Sequence, residues 1–91
     1  MDLDHWRGQI DVLNEKIVEL LNERADCALE VGKIKRETGQ PMYAPERETA
    51  VLNQLKALNK GPLSDEAVQR IFRQIIDEAL RLEQEHADDE T

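Results

Sequence analysis

Cysteine, aromatic residues, glycine, proline and long apolar runs are all scarce in this 91-residue chain. A single cysteine, Cys27, excludes an internal disulfide framework and any metal site built on paired cysteines. The three aromatic residues, Trp6, Tyr43 and Phe72, leave the core to Leu, Ile, Val and Ala. Four glycines and three prolines beside 35% charged residues suit helices rather than sheets. No apolar run approaches transmembrane length, and the opening MDLDHW lacks the charged-then-apolar layout of a signal peptide. A soluble cytoplasmic protein is the expectation. The net charge of −8 argues against nucleic acid and against an anionic membrane surface as partners. Five of those charges come from Glu83, Glu85, Asp88, Asp89 and Glu90, which leaves −3 for residues 1–82 and room for a local basic pocket.

Three helical segments are present in the pattern. The first runs from about Asp2 to about Glu37, with Leu3, Trp6, Ile10, Leu13, Ile17, Leu20, Cys27, Val31 and Ile34 spaced as in a heptad seam. Gly39 ends it and Pro41 forbids continuation. The second begins at Pro45, with Glu46 and Glu48 suited to the helix dipole and Val51, Leu52, Leu55 and Leu58 as its stripe. The third starts after Ser64 as N-cap, with Leu63 and Val68 placed to staple the entry. Its stripe is Val68, Ile71, Phe72, Ile75, Ile76, Ala79, Leu80 and Leu82. The stripe fades after Glu83, so residues 1–84 are expected to form one all-α domain and residues 85–91 a flexible acidic tail.

The first helix is too long for a globule of this size. About 36 residues at 1.5 Å each span roughly 54 Å, whereas a compact chain of this length is only about 30 Å across. The projecting part carries an apolar seam into water. Pairing with the first helix of a second copy covers it, so an intimate homodimer is expected.

Each helix carries a charged residue in line with its apolar stripe. Arg24 falls at an a position of the seam, where Leu or Ile belongs. Arg24 and Lys35, eleven residues apart and close to three turns, share a face with Ala28 and Val31 between them. Arg47 stands four, eight and eleven residues before Val51, Leu55 and Leu58. Glu83 follows Phe72, Ile76 and Ala79 by eleven, seven and four. Arg24 alone could set the register of a helix pair or snorkel to solvent. Three intrusions on three helices point instead to one shared polar cavity, because charges buried without partners are costly.

Arg24, Lys35 and Arg47 outnumber Glu48 and Glu83 on the inward faces, so the expected ligand is an anion. Paired guanidinium groups favour planar carboxylates. No nucleophile has an adjacent base, no Gly-rich phosphate loop is present, and His5 and His86 lack ligand spacing for a metal. The chemistry must then proceed by binding, orientation and electrostatics. Arg7 lies 17 residues before Arg24, roughly 25 Å along the axis. It is either a surface arginine or one that serves the pocket of a partner subunit.

The segments WRGQIDVLNEKIVELLNERADCALEVGKIK, PMYAPERE and KGPLSDEAVQRIFRQIIDEALRLEQ carry a resemblance to a known family. Over about Leu3 to Gln84, the chain resembles the all-helical chorismate mutases of the AroQ class. The resemblance implies an intertwined homodimer of three-helix subunits with two active sites that converts chorismate to prephenate, on the route to phenylalanine and tyrosine, without cofactor or metal. By position, it implies that Arg24 and Arg47 bind the substrate, and that Arg7 reaches in from the other subunit. It further implies that Lys35 donates to the ether oxygen and Glu48 accepts from the substrate hydroxyl, with Val31 and Ile76 as apolar walls. Glu83 stands opposite the lysine, where many members have Gln. Ala44 replaces a frequent Asp, and Ala79 a frequent Ser. Two alternatives stay open: an isochorismate–pyruvate lyase of the same architecture, and a non-catalytic helical dimerisation or regulatory module.

Overall fold

Capping residues set the ends of the helices. The Asp2 carboxylate accepts from the His5 N–H at 3.0 Å and opens α1, Leu3–Thr38. Gly39 closes it at φ 73°, a left-handed conformation that suits glycine. Lys35 and Arg36 in the last turn complement the dipole. Helix α2, Pro45–Leu58, starts without any side-chain cap, because Ala44 holds the N-cap position. Helix α3, Asp65–Asp89, is capped by the Ser64 hydroxyl, which accepts from the Ala67 N–H at 3.1 Å. The computed structural model describes residues 2–89, all-α with no strand among them.

Helix α3 is the central element. It packs on both α1 and α2, while α1 and α2 do not pack on each other. Leu52 is the buried hydrophobic residue of α2, and the Gln69 side chain of α3 donates to its carbonyl at 3.2 Å. Asn59 organises the turn between them by donating to the Leu63 carbonyl at 2.8 Å and to Asp65 at 2.9 Å. The molecule measures 55 × 27 × 14 Å with a radius of gyration of 16.3 Å, against about 12 Å for a compact chain of this length.

A row of helices leaves faces bare. Leu3, Trp6, Ile10, Leu13, Ile17 and Leu20 are all more than half exposed. Two stripe residues expected to face the core do not reach it: Leu58 is 65% exposed and Ile71 50%. Periodicity places both on apolar faces, but no other helix of the same chain covers them there. Leu63, at the entry to α3, is also exposed. The acidic end expected as a tail is helical as far as Asp89, and Glu90 and Thr91 lie outside the described residues. No helix of the described residues is long and apolar enough to cross a membrane.

Candidate active site

All three helices and the α1–α2 connection border one open cavity of about 320 Å³. Arg24 and Lys35 reach it from α1, Arg47 and Glu48 from α2, and Glu83 from α3. Ala28, Val31, Val51, Ile76 and Leu80 supply apolar wall between these charges. The spacing of Arg24 and Lys35 explains their shared outlook, since eleven residues return close to the same helix face. Such a cavity can hold a ligand with an apolar body and anionic ends.

Lys35 is fixed by the loop that follows its own helix. Its Nζ donates to the Met42 carbonyl at 2.8 Å, which ties the last turn of α1 to the start of the connection. Two ammonium hydrogens stay available to a ligand. Met42, Tyr43 and Ala44 of this connection also border the cavity.

Among the described residues, Glu83 is the buried charged one, 6% exposed. Burial raises its carboxyl pKa above the ordinary value, and the positive charges of Lys35, Arg36 and Arg24 oppose that rise. Burial wins, so the neutral acid is favoured relative to a free glutamate. The side chain lies against the buried Gly32 of α1.

Arg7 is exposed and is not among the residues that border the cavity. Every other candidate site residue borders it: Arg24, Val31, Lys35, Arg47, Glu48, Ile76 and Glu83. Sequence reasoning passed over Met42 and Tyr43, which sit in a loop without periodicity. It also passed over Cys27 as a wall and gave Gly32 no role.

A second cavity of about 390 Å³ adjoins the first through Arg24 and Ala79, which border both. Its charges are balanced, Arg24 and Arg81 against Glu78 and Glu85, and Arg81 already pairs with Glu78 at 3.0 Å. The first cavity has the excess of cations and is the better anion site. Among the described residues, no group of His, Cys, Asp and Glu side chains is arranged to hold a metal ion.

A family model, chorismate mutase type II, matches residues 6–84. A bifunctional chorismate mutase/prephenate dehydratase of Pseudomonas aeruginosa is 47% identical over 86% of this chain and 23% of its own length. The T-protein of Haemophilus influenzae is 34% identical over 85% of this chain and 21% of its own. The chain thus spans about a quarter or less of the curated relatives it matches. Among solved structures, a chorismate mutase from Thermus thermophilus superposes with a TM-score of 0.88 at 36% identity, over 90% of this chain and 93% of that one. Chorismate mutase from Helicobacter pylori in complex with prephenate gives 0.87 at 26% identity, over 94% and 93%. The helices, the cation-rich cavity between them and these matches agree, and the chain belongs to the type II chorismate mutase family.

Proposed function

We propose that this chain is a chorismate mutase, converting chorismate to prephenate by intramolecular rearrangement. The observation that carries the reading is the single cavity in which Arg24, Lys35 and Arg47 meet around an apolar wall, in a chain of this family. The substrate has two carboxylates, a ring and an enolpyruvyl arm, and the cavity offers guanidinium groups beside Val31 and Ile76.

The mechanism follows from positioning and charge. Arg24 and Arg47 hold the dianion with the arm folded over the ring, so the two carbons that will bond stand within reach. As the ether carbon–oxygen bond breaks and the new carbon–carbon bond forms, negative charge grows on the ether oxygen. The Lys35 ammonium, fixed by Met42, meets that charge and stabilises the transition state more than the ground state. Glu83 in its protonated form donates to the same oxygen, while Glu48 accepts from the ring hydroxyl.

The reading includes a homodimer. Covering half-exposed side chains such as Trp6, Ile10, Leu13 and Ile17 contributes roughly 1 kcal/mol each. A partner's α1 lying on this seam can bring its Arg7 to the second carboxylate. The reading also places the enzyme in the cytoplasm, where a lone exposed thiol such as Cys27 stays reduced.

Incubation of the purified protein with chorismate tests the proposal. Chorismate should disappear and prephenate accumulate far above the spontaneous rate. Conversion at the spontaneous rate, or salicylate and pyruvate formed from isochorismate instead, overturns it.

A further inference from the structure

Two glycines interrupt the interior of α1, and they stand in different surroundings. A Cβ built on Gly8 meets nothing within 4 Å. A Cβ built on Gly32 stands 3.1 Å from Cγ of Glu83, 3.4 Å from its Cβ and 3.5 Å from its Cδ. Gly32 does not have a positive φ, so conformational freedom is not what it supplies. It supplies space, and the three atoms nearest to that space all belong to one side chain on another helix.

We propose that Gly32 is a positioning residue for the reaction: its missing side chain is the seat that holds the Glu83 carboxyl in the cavity beside Lys35. The inference deepens the proposed function and rests on it for its kinetic arm. Contact at 3.1 Å requires the neighbour to give by a few tenths of an ångström. The contact falls on Cγ, the atom that carries the carboxyl, so a small displacement there swings the oxygens further. Filling the seat therefore perturbs the site more than the fold. The charged groups around Glu83 are Lys35, Arg36 and Arg24 from α1, with Arg47 and Glu48 of α2 on the same cavity. A displaced carboxyl exchanges burial for water among these cations, which moves its titration toward the ordinary carboxylate range.

The test compares the full chain with Gly32→Ala, Glu83→Ala and the double variant. Turnover of chorismate is measured, together with melting and the carbon-13 NMR titration of Glu83, both without ligand. Gly32→Ala should lower kcat about tenfold with KM changed less than about twofold. It should also move the Glu83 titration midpoint downward. In the Glu83→Ala background, adding Gly32→Ala should leave kcat within about twofold and raise Tm, because the crowding Cγ is gone, the remaining Cβ at 3.4 Å is an ordinary contact, and Ala is the better helix former. The same fold-loss in both backgrounds, or an unmoved midpoint, overturns the assignment. Should Gly32→Ala fail to fold while the double variant folds, the coupling is supported; should neither fold, it is overturned. Because melting and NMR need no substrate, failure of this inference is distinguishable from failure of the mutase reading.

Discussion

At the scale of single residues, Lys35 and Glu83 divide the electrostatic work of the proposed site. Lys35 is held by the Met42 carbonyl and needs no reorganisation as charge develops. Lys35→Ala is expected to lower kcat about 100- to 1000-fold, the usual loss when a fixed transition-state stabiliser is removed, with a smaller change in KM. Steady-state kinetics on a variant with an intact melting transition checks this, and an unchanged kcat removes Lys35 from the mechanism. Glu83 predicts a pH dependence whose sign is fixed by its raised pKa. The folded chain favours the neutral acid, so its contribution to stability is complete below the ordinary carboxylate pKa and is lost as pH rises through the raised one. If the protonated acid is the active form, turnover falls over the same window. Glu83→Gln should flatten both the rate profile and the melting profile across it. A profile identical to wild type in either measurement counts against the assignment.

At the scale of helices, Ala44 leaves α2 without a side-chain cap, although Pro45, Glu46 and Glu48 all favour its start. Ala44→Asp should add about 1 kcal/mol through the N-cap bond, seen as a rise of roughly 4–8 °C in Tm. A melting temperature at or below wild type excludes that bond. The helices themselves were legible because their signals are local: the Ser64 cap, Pro45, Gly39 and a periodicity of three and four. The convergence of Arg24, Lys35, Arg47 and Glu83 was legible because each interrupts an apolar stripe that must face inward. Leu58 and Ile71 lie on the apolar faces that periodicity names, but no other helix of the chain covers them, since periodicity names a face without naming its cover. The Met42 bond to Lys35 was not legible, because a loop carbonyl carries no side-chain signature. Gly32 was visible as an anomaly, but its cause lies on α3, and sequence alone does not pair the two helices.

At the scale of the whole molecule, which is 55 Å long, Leu3, Trp6, Ile10, Leu13 and Ile17 form a half-exposed apolar seam that the rest of the chain does not cover. The proposed dimer makes a prediction that no single chain can satisfy. Arg7 stands roughly 25 Å from Arg24 along α1, so in that proposed dimer its carboxylate contact falls in the partner's cavity. Arg7→Ala and Arg24→Ala should each depress activity strongly. In a dimer assembled from one chain of each kind, both lesions fall on one cavity and the other is restored. Mixing the two variants equally, with denaturation and refolding to exchange subunits, should return roughly a quarter of the wild-type activity, because half the dimers are mixed and each mixed dimer has one intact site of two. If Arg7 acted in its own chain's cavity, every site in every dimer would carry one lesion and mixing would restore nothing. Recovery that depends on subunit exchange therefore separates a shared site from a surface arginine, whatever the absolute rates.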